Sequence, residues 1–259
     1  MKAWRIVKWS LLILLIVISA GAVSIYIAIN GVPDIYQPAR LTAAQKKHAA
    51  DIFLQRMIDL HNQAGRHEPF VWRITQDELN HALASLNEIA DKMEKGRAAE
   101  VFQVFDKVGA ADPAVAIHDD VLTLMVLAKQ HNKVLSIDLA FEPTADGQQI
   151  NVRMVGTRLG WMPVPISVTR DWLVKLQDML RKSRTGGANA GVVTTSGRMG
   201  GLSSEELAEI LAGVVGAVDA GPVPAELVIN GYRHRVQKVE LADKTISLHV
   251  VPVGPLQAR

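Results

Sequence analysis

Hydrophobic and polar residues are arranged in three ways along this chain, and each arrangement predicts a different kind of element. Between Trp9 and Pro33 there is no rhythm, because no charged side chain interrupts the run WSLLILLIVISAGAVSIYIAIN. Its 22 residues slightly exceed the roughly 20 that cross a bilayer as a helix, so residues 9–30 are predicted to form a transmembrane helix. Residues 41–64 follow a helical period: Ala49, Ile52, Phe53, Met57 and Leu60 share one stripe, with Gln45, Lys46, Lys47, Gln55 and Asp59 elsewhere. A short β-like run, PFVWRI, precedes Thr75-Gln76-Asp77-Glu78, where Thr75 and Glu78 have the spacing of a capping box. Leu79, Leu83, Leu86, Ala90 and Met93 then repeat at helical spacing.

From Ala114 to Gly160 the period falls to two. Strands are predicted at VAIH, VLTLMVLAK, KVLSIDLAFEP and QQINVRMVGTRLG, separated by Asp-Asp, His-Asn and Ala-Asp-Gly turn signals, which is the pattern of an antiparallel meander. Leu135, Ile137, Leu139 and Phe141 alternate with Ser136, Asp138 and Glu142, as in a sheet with one wet face. The strand beginning at Val121 is apolar on both faces and is expected in the interior of the sheet. Trp161-Met162-Pro163-Val164-Pro165 should break the sheet. Helices are expected over residues 168–184 and 206–220, around a Gly-rich loop near residues 185–202. Closing strands are expected near LVINGYR, RVQKVELA and TISLHVVPV, with Ala242-Asp243-Lys244 as a hairpin turn. The chain thus divides into a tail (1–8), the apolar helix (9–30), a connector (31–40) and an α+β domain (41–259).

Charge changes this picture in one respect. The chain carries 28 Lys and Arg against 26 Asp and Glu. Lys2, Arg5, Lys8 and Arg40 stand against Asp34 in the first 40 residues, leaving 24 basic and 25 acidic residues in the rest. The domain is therefore electrically balanced, and no nucleic-acid partner is expected. The basic residues before the apolar run place the N-terminus in the cytoplasm and export the domain. Ala20-Gly21-Ala22 offers the competing reading of a cleaved secretory signal. With no cysteine in the chain, thiolate metal sites and cysteine nucleophiles are excluded.

Candidate chemistry is sparse. There is no His-Glu-x-x-His, and His118-Asp119-Asp120 near His131 lacks a metal-ligand spacing and reads as a polar strand turn. No Gly-x-Ser-x-Gly elbow or Ser-x-x-Lys pair is present, and Ser136 reads as a solvent-face serine. The Gly-rich stretch lacks the Lys-Ser/Thr ending of a phosphate loop. The carboxylate neighbours Asp119 with Asp120 and Glu205 with Glu206 point apart, and Arg181, Lys182 and Arg184 form a basic tip suited to a helix C-terminus. No catalytic residue, no metal and no cofactor is expected, and the chain reads as a non-enzyme.

Three blocks together resemble the YpmS-like family of single-pass bacterial membrane proteins, whose exported domains are related to tubular lipid-binding (TULIP) folds. The blocks are Ile74-Thr75-Gln76-Asp77-Glu78-Leu79-Asn80 after the apolar segment, the stretch from Val121 through Leu139-Ala140-Phe141-Glu142-Pro143 to Trp161-Met162-Pro163-Val164-Pro165, and the closing Leu241-Ala242-Asp243-Lys244-Thr245-Ile246-Ser247-Leu248 hairpin. The resemblance implies an α+β fold in which a curved antiparallel sheet packs on long amphipathic helices and encloses an apolar groove. Its walls would be Leu79, Leu83, Leu86, Leu122, Leu124, Val126, Leu135, Ile137, Leu139, Phe141, Val152 and Met154, with Leu207, Ile210, Leu211, Val214, Val215 and Val218 as a lid. The function implied is a membrane-anchored, envelope-facing module at the bacterial inner membrane that binds membrane lipid or another amphiphile in that groove, with lipid transfer as one use of such binding. The alternative is a structural or assembly protein that docks envelope partner proteins, through a sheet edge or through the small-residue helix 206–220.

Overall fold

The computed structural model describes residues 19, 23–24, 26–92, 110–129, 132–166, 223–229 and 231–255. Helix α1 (Ala43–Ala64) opens with a capping box, because Thr42 accepts the Gln45 backbone N–H while Gln45 accepts the Thr42 N–H. Strand β1 (Phe70–Thr75) leads directly into α2 (Gln76–Ala84), where Thr75 and Glu78 form the box legible in the sequence. The helical repeat beyond Leu79 is not one helix. Ser85, at φ −116° and ψ 21°, ends α2, and α3 (Leu86–Lys92) starts afresh.

The meander is formed by β2 (Ala110–His118), β3 (Val121–Ala128), β4 (Lys133–Pro143) and β5 (Gln149–Leu159), and β6 (Met162–Pro163) extends it. Met162 and Pro163 pair with Leu159 and Arg158, so the Trp161 segment turns the sheet instead of breaking it. β7 (Val223–Pro224) pairs with β5, and β8 (Glu226–Ile229), β9 (Tyr232–Ala242) and β10 (Thr245–Pro255) close the chain. The turn residues Asp119, Asp120, Asp243 and Lys244 all have positive φ, the primed-turn geometry that matches strand twist in two-residue hairpins.

Two antiparallel sheets result, ordered β1-β10-β9-β8 and β2-β3-β4-β5-β6. This corrects the expectation of one curved sheet on long helices: β9 and β10 form a second sheet with β1, strands far apart in sequence. Val115, Ile117, Leu122 and Leu241 make a core between the sheets, closed by Leu79 and Leu83 of α2 and by Leu124, Phe141, Val239 and Ile246. Ala50, Ala82 and Ile89, with Phe53 and Leu54, join the three helices in a second core. The other face of the meander is covered where Ile35 and Tyr36 lie on Ala114, Ala116, Met125 and Val134. That cover is why Ser136, expected in solvent, is fully buried.

The transmembrane expectation is also corrected. Residues 1–18, 20–22 and 25 of the tail and span lie outside the described residues, while residues 26–30 are helical. Among the described residues no helix is long and apolar enough to cross a membrane. The single-pass, signal-anchored topology at an inner membrane, with its cytoplasmic N-terminus and exported domain, is accordingly set aside. The helices expected at 168–184 and 206–220 and the loop at 185–202 lie outside the described residues.

Candidate functional site

A sheet edge leaves every second residue's backbone N–H and C=O without a strand partner, so the two sheets can be compared edge by edge. At β2 the outward groups of Val115 are both taken by Asn80 of α2, whose Nδ2 donates to the carbonyl at 3.0 Å while Oδ1 accepts the N–H at 2.7 Å. One turn earlier Gln76 Oε1 accepts the Ile117 N–H at 2.8 Å, and the Tyr36 hydroxyl donates to the Asp112 carbonyl at 2.8 Å. This edge is sealed by side chains. Burial first, then the Asp112 carboxylate, pushes the Tyr36 phenol up to about 12.

The edge of β1 differs. The Gln76 N–H donates to the Lys244 carbonyl at 2.7 Å, whereas the Thr75 N–H turns away from β10 to Glu78 Oε2 at 2.9 Å. Because backbone direction alternates along a strand, Phe70, Trp72 and Ile74 face β10, and Val71 and Arg73 face outward with Thr75. Glu78 takes the Thr75 donor. The N–H and C=O groups of Val71 and Arg73 have no hydrogen bond to another element among the described residues.

Those outward groups face a groove of about 400 Å³ lined by Val71, Trp72, Arg73 and Thr75 of β1, Arg56, Asp59 and Gln63 of α1, with Glu78 and Thr245 at one end. Arg56, Asp59 and Gln63 share a helical face. The α1 wall is held to β1 by the buried Trp72, whose indole N–H donates to the Arg56 carbonyl at 3.1 Å. The Arg56 guanidinium donates to Glu78 Oε1 from Nε at 2.9 Å and from Nη2 at 2.7 Å. Partial burial by itself would raise the Glu78 carboxyl; hydrogen bonds from Thr75 and Arg56 outweigh it and hold it below the usual carboxylate range. Of the other two charges in the groove, Asp59 accepts only the Gln55 amide, and Arg73 forms no ion pair among the described residues.

The residues proposed as acyl-chain walls lie elsewhere. Leu79, Leu83, Leu122, Leu124 and Phe141 belong to the core between the sheets, and Ile137, Leu139 and Val152 are buried. Leu86, Val126, Leu135 and Met154 are half-buried, and none of the twelve lines the groove beside β1. Eight of them are buried or belong to that core, and the described groove is polar, so the lipid-binding reading is withdrawn. The lid residues Leu207, Ile210, Leu211, Val214, Val215 and Val218 lie outside the described residues, as do Arg181, Lys182, Arg184, Glu205 and Glu206.

His118-Asp119-Asp120 forms the β2–β3 turn, and no group of three or more His, Asp or Glu among the described residues is placed to hold a metal ion. A polar cluster does sit on the covered face of the meander, where Asp138 Oδ1 accepts the Thr123 hydroxyl and an Arg158 N–H, each at 2.8 Å. Beside it the Ser136 hydroxyl is buried and has no hydrogen-bond partner among the described residues.

No family model, no curated protein and no solved structure matches this chain. The resemblance to the YpmS-like family and to TULIP domains is therefore withdrawn. The motif that carried most of it has a structural explanation: Thr75 and Glu78 cap α2, and Gln76 and Asn80 seal the edge of β2. Sequence reasoning missed the groove although its key signal was present. The capping box fixes the direction of the Thr75 N–H, but the parity of β1 acquires meaning only once its partner strand is known.

Proposed function

We propose that this chain is a non-catalytic docking module that takes an extended segment of a partner protein onto the free edge of β1. The observation that carries this reading is the coincidence of the groove with edge groups at Val71 and Arg73 that have no partner in another element among the described residues. Main-chain hydrogen bonds to an edge strand supply affinity for any extended peptide, and the flanking side chains supply selectivity. The dimensions support it: four residue steps from Val71 to Thr75 span about 13 Å, and the seven from Arg56 to Gln63 span about 10 Å. Three to four residues of an added strand fit that length. Sealing of the β2 edge leaves β1 as the better acceptor of the two.

Panning a random heptapeptide display library on the full chain tests the proposal. Enriched peptides are expected to bind the native chain and to lose at least tenfold in affinity to Arg73→Pro. Proline there removes an outward N–H while leaving the β10 ladder intact. An unchanged melting temperature of Arg73→Pro keeps the comparison fair, and Val71→Pro provides the same test at the other outward donor. Failure to enrich any peptide, or equal binding by native and Pro chains, overturns the reading.

A further inference from the structure

We infer, resting on the β1-edge reading, that the docked segment carries an acidic side chain opposite Arg73 and a basic neighbour turned toward Asp59. A strand added to β1 places the side chain opposite Arg73 on the same face as Arg73, and that face is exposed. Beyond Arg73 in the sheet, Ser247 of β10 and then Glu240 of β9 continue the same row. Glu240 is already engaged by Lys238 and His249, at 3.1 Å each, which together hold its carboxyl below the usual range. No carboxylate of the described residues is ion-paired with Arg73, so the guanidinium is available to an incoming acid.

Residues on either side of that acid turn to the opposite face, the one on which Trp72 meets α1. There the charges are Arg56, Glu78 and Asp59. The first two satisfy each other at 2.7 Å, which leaves Asp59 to select a Lys or Arg. An acidic residue next to a basic one is thus the pattern complementary to the two faces of the β1 edge.

The same charge argues against a second copy of this chain. Two β1 edges paired antiparallel about Arg73 would bring Arg73 opposite Arg73, a like-charge contact of the kind that blunts edge-to-edge association, whereas pairing about Trp72 would set Arg73 against Val71 and give the guanidinium no carboxylate.

The test is to pan the library in parallel on the full native chain, on Arg73→Glu and on Asp59→Lys. The native chain is expected to enrich an acidic–basic pair, Arg73→Glu to invert the acidic position to Lys or Arg, and Asp59→Lys to invert the basic one. Arg73→Gln should lose the acidic preference without inverting it. For one enriched peptide, exchanging its acid for Lys should weaken binding to the native chain about threefold to thirtyfold and strengthen binding to Arg73→Glu.

If peptides bind and Arg73→Pro abolishes binding, yet the native and Arg73→Glu chains select the same residue at that position, this inference falls and the edge reading stands. If no chain enriches a peptide, both fall. A dimer of the native chain that dissociates in Arg73→Pro also overturns the inference, because it identifies the occupant as a second copy.

Discussion

Asn80 satisfies the edge of β2 with a single side-chain amide, donating to one backbone group of Val115 and accepting from the other. Both residues are buried, so replacing Asn80 by Ala strands two polar groups away from water, and we expect a loss of about 2–4 kcal/mol. Asn80→Asp should also lose stability, since a carboxylate accepts the Val115 N–H but offers no donor to its carbonyl. Urea unfolding checks both variants, with a lowered midpoint at unchanged slope as the expected result. Glu78 provides the pH dependence. Its carboxyl is held below its ordinary value in the folded chain, so its contribution is present above the unfolded pKa and is lost as pH falls through the folded one. The stability gap between the native chain and Glu78→Gln should therefore be largest near neutrality and close in acid below the ordinary carboxyl range, as followed by urea midpoints across pH. Buried His234 ties distant parts together, its Nε2 lying 3.0 Å from the Ala64 carbonyl at the end of α1 and its Nδ1 3.2 Å from the Tyr232 carbonyl. Neither the Asn80 seal nor the His234 tie was legible in the sequence, where His234 stands in an ordinary strand and Asn80 on an ordinary helix.

At the scale of elements, much was legible because the signals are local. The capping box at Thr75, the turns at Asp119-Asp120 and Asp243-Lys244, and the period-two runs all concern residues within a few positions of one another. Lys244 sits at φ 57°, and Lys244→Gly removes the left-handed strain of a non-glycine residue there. A gain of about 0.5–1 kcal/mol is expected, read as a raised melting temperature. The β5–β6 turn shows the opposite case. Gly160 has φ +61°, and a Cβ there would lie 2.5 Å from the Ile29 carbonyl and 2.7 Å from that of Ala28. The adjoining Trp161 N–H donates to that same Ala28 carbonyl at 2.7 Å, so the turn holds the end of the helical stretch 26–30 against the meander. Gly160→Ala should cost about 1–3 kcal/mol and speed hydrogen exchange at the Trp161 amide. The expected continuous helix beyond Leu79 failed at Ser85 because the apolar repeat runs on through Ala90 while the chain turns there to pack Ile89 against Ala50 and Ala82.

At the scale of the whole molecule, two sheets share one core and differ in how their edges end. Hydrogen exchange on the full chain should show the difference. The Trp72 and Ile74 amides, paired with β10, should be protected, and the Val71 and Arg73 amides should exchange orders of magnitude faster. Equal protection of all four would contradict an open edge. The amino-acid sequence by itself determined where α2 starts, where the strands of the meander alternate and where the Asp119-Asp120 and Asp243-Lys244 hairpins turn, since each depends on side chains and backbone groups within one or two turns of chain. It also determined that the domain carries balanced charge and no thiol chemistry. Only the tertiary structure decided that Phe70 pairs with Val250, that Leu79, Leu83, Leu122, Leu124 and Phe141 pack into a core between the sheets, and that among the described residues one edge is sealed and another left open. Those outcomes depend on pairing residues as much as 180 positions apart, and no local periodicity encodes which strand an alternating segment will choose.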